Sequence, residues 1–239
     1  MSGRHRSFQI GNPKTKFYLP IYKPLYLLQT MFIEMTIKDF GARVESVWEG
    51  MRPMTKKMLV GVLQASVENL PAAKVQKFSY DAHADWELSR LLSALDEQTK
   101  DSEVKKDEEK LSEIKKLADT CASVLQTQTE SAEIFIQLAE RLLQRNDFNK
   151  LDRLADLLSE RFSVGEIAEI VRQSEMAQIR ALAYEALTVM SVPSLLPLLD
   201  DSLYFEIIRN VLEQQAFEFD NADAQQVLEQ IEFDEINDE

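Results

Sequence analysis

The polar cluster that could most readily bind a metal ion or take part in catalysis is residues 81–85, which carry Asp81, His83 and Asp85 at alternate positions. In an extended strand these three side chains would share one face and could bind a metal ion. At the start of a helix they would point in different directions, and the aspartates would complement the helix dipole. Helix-compatible residues follow directly at 86–88. The sequence therefore favours a helix start over a metal site.

No other stretch assembles a catalytic site. The six glycines are widely scattered, so the chain has no glycine-rich phosphate loop. The single cysteine, Cys121, excludes an intrachain disulfide and a cysteine-based zinc cluster. Cys121 lies at helical spacing from Leu117 and Leu125, which predicts a buried thiol that packs as a small apolar group. We predict no catalytic residue, cofactor or metal ion, and we expect a protein that is not an enzyme.

The composition predicts an all-α fold. Apolar residues make up 45% of the chain, enough for a core, while 6 Gly and 7 Pro supply little turn chemistry for a many-stranded sheet. From residue 40 onward, apolar residues recur at helical spacing and no sustained apolar–polar alternation is present. We expect helices throughout, with an N-terminal helical bundle followed by helical repeats.

A repeat of 28 residues organises the second half of the chain. Residues 163–171 match residues 191–199, and Ile179 and Ala183 fall on Ile207 and Val211. A further step of 28 residues towards the N-terminus places apolar residues on apolar residues again. A fixed period of this size predicts stacked supersecondary units that bury their apolar faces against one another. Within the second unit, Ser163 and Glu166 have the spacing of a capping box at a helix start.

The second and third units resemble the short bacterial HEAT-like repeats, over about residues 131–219. The resemblance is carried by residues 178–180, 183–187 and 195–201, which match a leucine-rich first helix, an acidic turn, an Ile-Arg step and an Ala-x-x-Ala-Leu second helix. Two departures stand out, because Arg209 is displaced by one position and residue 152 is Asp152 rather than arginine. The resemblance implies an α-solenoid in the C-terminal half.

The sequence divides the chain into four regions. Residues 1–34 are basic and rich in proline and aromatic residues, and we expect a disordered leader or a segment that reflects the choice of start site. Residues 35–95 are expected to form an N-terminal helical region. Residues 96–110 carry mixed charge and one apolar residue, which predicts a linker or a solvated helix. Residues 111–239 are expected to form the HEAT-like region with an acidic tail.

Charge restricts the classes of partner. The net charge is −14, and the residues from Asp200 onward contain 13 acidic side chains and one basic side chain, Arg209. Such a surface repels phosphate, so we expect no binding to nucleic acid and none to anionic membranes. A basic protein is the partner that this charge favours, although simple solubility explains the same charge. No secretory signal is evident, and we expect a cytoplasmic protein.

The sequence therefore predicts a non-catalytic scaffold or adaptor that binds another protein, with a basic protein as the expected partner. The alternative is a HEAT-type enzyme or enzyme subunit, for example one that resembles the HEAT-type lyases that attach bilins to cysteines. In solenoids of the HEAT type the second helix of each pair lines the concave face. The positions opposite the core on these helices that we expect to contact a partner are Lys150, Arg153, Glu185, Thr188, Arg209 and Glu213. An ordinary solvated face is the other explanation of this pattern.

Overall fold

The structure, a computed structural model, describes residues 37–67 and 80–237. The leader predicted for residues 1–34 lies outside the described residues. Within them every regular element is helical, which confirms the all-α prediction for this part of the chain. Short 3₁₀ turns lie at Val104–Lys106 and Leu196–Leu198. The α-helices are α1 (Ala42–Gly50), α2 (Pro53–Val67), α3 (Ala82–Gln98), α4 (Glu108–Gln128), α5 (Ala132–Gln144), α6 (Phe148–Arg161), α7 (Val164–Gln173), α8 (Ala177–Thr188), α9 (Val192–Leu195), α10 (Phe205–Glu218) and α11 (Ala222–Asn237).

The first four helices pack around a shared apolar core. Helices α3 and α4 lie along each other, α1 packs on α3, and α2 packs on both α3 and α4. The core is contributed by apolar stripes that recur at helical spacing, because such residues fall on one side of a helix. Fully or almost fully buried members of this core include Val44, Trp48, Leu59, Leu88, Leu91, Leu95, Ile114 and Leu125.

The helices after α4 pack as successive pairs. Helix α5 packs on α6 and α7 packs on α8, while α5 also contacts α7 and α6 also contacts α8. Helix α8 then contacts α10, which packs along α11. The positions that repeat every 28 residues supply much of this core. Ile167, Ile179, Ala183, Leu195 and Val211 are all fully buried.

Side chains from the preceding turns fix the start of several helices. Asp81, Asp107 and Asp147 each accept a hydrogen bond from a backbone N–H in the first turn of the helix that follows. Ser163 does the same at α7, where its Oγ accepts from the N–H of Glu166 at 3.2 Å. Between α5 and α6 the chain reverses at Asn146, whose φ of 55° lies in the left-handed region that asparagine tolerates.

The carboxylate of Glu166 links two neighbouring helix pairs. In a capping box this group would return to the backbone of its own cap residue. Here its Oε2 accepts from the N–H of Ala132 at 2.6 Å, in the first turn of α5. Ser131, at the N-cap position of α5, makes no side-chain cap of its own. Glu166, in the helix pair α7 and α8, therefore caps the start of α5 in the preceding pair.

Residues 96–110 comprise the end of α3, a 3₁₀ turn and the start of α4. Val104, the one apolar residue there, is 3% exposed. Asp96 accepts from Arg141 Nε at 2.7 Å, and Arg141 also donates to Asp119 on α4 at 2.7 Å. The segment is therefore tied to α5 by an ion pair and to the core by Val104.

Candidate protein-interaction surface

The cluster at residues 81–85 is a helix start rather than a metal site in this structure. Asp81 Oδ1 accepts from the N–H of Ala84 at 2.9 Å, and both Asp81 carboxylate oxygens also accept from the Arg52 guanidinium, at 2.7 and 3.0 Å. That guanidinium holds the pKa of Asp81 well below its usual range. His83 is exposed on the surface of α3. Among the described residues no three His, Cys, Asp or Glu side chains are grouped to hold a metal ion.

Asp85 has a role that the sequence does not indicate. It is half-buried and accepts from the Tyr80 hydroxyl, and from Thr129 Oγ1 at 3.1 Å. Burial raises the pKa of Asp85 despite these two donors. Thr129 lies in the connection between α4 and α5, so this carboxylate joins the start of α3 to that connection. The contacts account for Asp85 as a structural residue.

The single thiol is inaccessible. Cys121 lies on α4, and its side chain is fully buried in the core, as its spacing predicts. Burial raises the pKa of this thiol far above its ordinary value, which disfavours the reactive thiolate. Cys121 therefore contributes apolar packing.

The predicted partner-contacting residues on α6 lie at the surface. Lys150 and Arg153 are both exposed, one turn apart. Lys150 Nζ forms an ion pair with Asp147 at 2.9 Å, within the first turn of the helix. This pair lowers the pKa of Asp147. The two cations are thus on an open face, although one of them is engaged by its own helix.

The predicted residues on α8 and α10 divide into exposed and buried positions. Glu185 is exposed, and Glu213 is half-buried with an ion pair to Arg209 Nε at 3.4 Å. Thr188 is 6% exposed, so it lies in the core rather than opposite it. At this end of α8, Gln215 on α10 donates to the Thr188 carbonyl at 2.9 Å, so the two helices are in contact there.

Two neighbouring depressions in the described residues lie between α8 and α10 and meet at Tyr184 and Gln214. One has a volume of about 590 Å³ and the other about 570 Å³. We call this surface the α8–α10 groove. It is formed by Val171, Arg180, Ala181, Tyr184, Glu185, Thr188, Asn210, Glu213, Gln214, Phe217, Glu218 and Phe219.

Two large apolar side chains project from the α8–α10 groove into solvent. Phe217 is 77% exposed and Phe219 is 57% exposed. Phe217 also lines a smaller depression of about 260 Å³ between α10 and α11, where it stands beside Glu229 and Glu232. Large exposed apolar groups clustered among polar residues are characteristic of binding sites, and Phe217 and Phe219 form such a pair at this groove.

The α8–α10 groove is lined by three carboxylates and one cation, Arg180. The carboxylates belong to Glu185, Glu213 and Glu218, and Gln214 Nε2 donates to Glu218 Oε2 at 2.9 Å. Burial raises the pKa of Tyr184, and the charges of Glu213 and Glu218 raise it further. A cation in the same place would be stabilised by the same charges.

Of the residues that the sequence predicts to contact a partner, Glu185, Thr188 and Glu213 line the α8–α10 groove, whereas Lys150, Arg153 and Arg209 do not. The aromatic residues of the groove were not predicted. The missing signal lies in α10 itself, where Ile208, Val211, Leu212 and Ala216 define the buried side. Phe217 is one residue beyond that stripe and so points away from the core. An apolar residue off the buried side of an amphipathic helix was therefore the pattern that could have located the groove.

Comparison with known proteins found no matching family model, no similar curated protein and no similar solved structure. None of the helices in the described ranges combines the length and the apolar character needed to cross a bilayer.

Proposed function

We propose that this chain is a non-catalytic protein-interaction module that binds a basic partner at the α8–α10 groove. The observation that carries the proposal is the exposure of two phenylalanines in depressions that also contain carboxylates, Phe217 with Glu213 and Glu218, and Phe219 with Glu185. Each exposed phenylalanine leaves apolar area in water that a partner could bury, at about 25 cal/mol per Å². Aromatic residues are also enriched in the centres of protein interfaces.

The acidic surroundings favour a partner of positive charge. Carboxylates on α8, α10 and α11 surround the two phenylalanines, and the whole chain carries a net charge of −14. Attraction of this kind accelerates encounter and is screened over about 8 Å at physiological salt. Burial of the phenylalanines would supply the affinity, and the placement of the carboxylates would supply specificity.

We further propose that the helices from α5 onward form a short HEAT-like solenoid. The 28-residue period and the contacts of α5 with α7, of α6 with α8, and of α8 with α10 support this arrangement. In such a stack each unit contacts its neighbours, and the row of second helices forms an extended binding surface. The proposed groove lies between the last two of these second helices.

The experiment that tests the interaction is site-specific photo-crosslinking in cells that produce the protein. A photoreactive phenylalanine analogue replaces Phe217 in one variant and Phe148 in the control. Phe148 is 56% exposed and lines none of the depressions described above. We expect a discrete protein adduct at residue 217 that is absent at residue 148. The captured protein, once purified, should have a basic surface and should bind more weakly as salt rises.

Equal adducts at both positions, or none at residue 217, would contradict this function. So would a catalytic turnover in the purified protein that is lost on His83→Ala, because that result would favour the enzyme alternative.

A further inference from the structure

The depression between Tyr184 and α10 combines two features that suit one type of ligand group. It is lined by the rings of Tyr184 and Phe217 and by the carboxylates of Glu213 and Glu218, with Asn210 and Gln214 between them. Aromatic faces attract cations, and carboxylates accept hydrogen bonds from them. An opening with both features can hold a cation by stacking and by hydrogen bonds at once.

A guanidinium satisfies this arrangement better than an ammonium. It is planar, it stacks on aromatic rings, and its fixed donors match the two oxygens of a carboxylate. An ammonium is a compact and strongly hydrated point charge that gains less from an aromatic wall. Arg209 Nε already lies 3.4 Å from Glu213 Oε1, so an arginine of a partner would share this carboxylate with Arg209.

The groove has room for more than one side chain. The larger depression continues from Tyr184 to Phe219 and includes the apolar side chains of Val171 and Ala181. A residue next to a bound arginine in the partner could therefore pack against Phe219. Aliphatic neighbours fit this part, because most of its exposed wall is apolar, although Arg180 and Glu185 also line it.

We propose that the α8–α10 groove binds an arginine side chain of a partner segment, with an aliphatic residue of the same segment packed against Phe219. This inference rests on the proposed interaction function and specifies its ligand. The arginine lies between the rings of Tyr184 and Phe217 and donates hydrogen bonds to Glu213 and Glu218. A lysine at the same place makes fewer contacts.

Synthetic peptides test the proposal without knowledge of the natural partner. The probe is a short fluorescein-labelled peptide in which arginine and leucine alternate, and its binding to the full chain is measured by fluorescence anisotropy at low and at physiological salt. The matched peptide replaces every arginine with lysine and keeps the charge. We expect the lysine peptide to bind about tenfold more weakly, which is the range of one well-placed side chain.

Variants of the chain separate the groove from the general negative charge. Glu213→Gln together with Glu218→Gln removes two charges inside the groove, and Glu49→Gln together with Glu113→Gln removes two charges on α1 and α4. We expect the first pair to weaken the arginine peptide by about tenfold and the second pair by less than about threefold. Phe217→Ala should likewise weaken it more than Phe148→Ala. Circular dichroism confirms that each variant remains helical.

Three outcomes overturn the inference. Equal affinity of the arginine and lysine peptides shows that charge alone is recognised. Equal losses from the two glutamine pairs show that the field of the whole chain, rather than the groove, holds the peptide. A dimer in light scattering that Phe217→Ala dissociates shows that a second copy of the chain covers the phenylalanines. If residue 217 still crosslinks a basic protein in cells, the interaction function stands while the arginine assignment fails.

Discussion

The two halves of the molecule use charged residues differently. Between α1 and α5 several charged side chains join one helix to another: Arg43 pairs with Glu97, Arg52 with Asp81, and Arg141 with both Asp96 and Asp119. In the last helices the ion pairs of Arg172 with Glu169 and of Arg209 with Glu213 each join neighbours on one helix.

The comparison distinguishes charged side chains that hold helices together from charged side chains that are exposed to a partner. Arg141 is 9% exposed and its two aspartates complete a junction of three helices, so those charges are committed to the fold. Glu185 is exposed and Glu218 accepts only a local hydrogen bond from Gln214 among the contacts described here. The C-terminal half is joined by apolar packing and by single polar contacts, such as Glu166 with the N–H of Ala132 and Gln215 with the Thr188 carbonyl. Glu185 and Glu218 are therefore the groove carboxylates most available to a partner, whereas Glu213 is paired with Arg209.

The strongest test of this comparison is Arg141→Met. The substitution removes the more buried of two cations at the junction of α3, α4 and α5, because Arg145 also pairs with Asp119 at 2.7 Å and with Asp96 at 3.6 Å. We expect the free energy of unfolding to fall by about 2–3 kcal/mol, somewhat less than for a fully buried pair because both aspartates retain contact with water. Urea unfolding followed by circular dichroism measures the loss. Arg145→Met is the control, since Arg145 is half-exposed and should cost under about 1 kcal/mol. Similar losses of unfolding free energy in the two variants would show that Arg141 stabilises the junction no more than Arg145 does.

The second test concerns Gln215, which is 2% exposed and holds α10 against the end of α8. Its Nε2 donates to the carbonyls of Thr188 and Met190, at 2.9 and 2.8 Å. Gln215→Leu keeps the volume and leaves both carbonyls without this donor. We expect a loss of about 1–3 kcal/mol in urea unfolding. Gln214→Leu is the control on the open side. If the two variants lose equal stability, the hydrogen bonds from Gln215 do not contribute to the packing of α10 on α8.

A smaller effect is expected for Glu166→Ala, which removes the cap that α7 supplies to α5. The N–H of Ala132 then loses its acceptor at the helix start, and a typical cap contributes about 1 kcal/mol. We expect a loss of that size in urea unfolding. The control is Glu133→Ala in the first turn of α5, which removes a charge there but leaves the bond between Glu166 and Ala132 in place. We expect it to cost less stability. An unchanged stability for Glu166→Ala would mean that water replaces the carboxylate.

The smallest effect is a pH dependence at Glu169. Arg172 lowers its pKa from 4.5 to about 2, helped by the Tyr204 hydroxyl and opposed by burial. A carboxyl with a lowered pKa stabilises the fold above its unfolded pKa, and this contribution disappears as pH falls through the folded pKa. The stability difference between the wild type and Arg172→Met should therefore stay under about 1 kcal/mol near neutral pH and shrink between pH 4.5 and about 2. Urea midpoints across this range measure it, with Arg153→Met as the exposed control.

The sequence by itself determined the helices and much of their buried sides. Apolar spacing near the helical period predicted that Cys121, Ile167 and Ala183 are buried, because a helix places such residues on one side regardless of its neighbours. The cap at Ser163 could also be predicted, since its partner is three residues away. Contacts of this range depend on local backbone geometry alone. The division of the chain at residues 96–110 and the contacts of Lys150 and Arg153 with a partner stay predictions.

Only the tertiary structure decided which polar groups meet across helices and which surfaces stay open. Glu166 caps a helix that begins 34 residues earlier, and Gln215 donates to the Thr188 carbonyl from 27 residues away. No local pattern encodes those distances, because they depend on how one helix pair stacks on the next. The exposure of Phe217 has the same origin. Its surroundings are set by where α8 and α11 pack against α10, and a helical pattern can say only that it lies off the buried side.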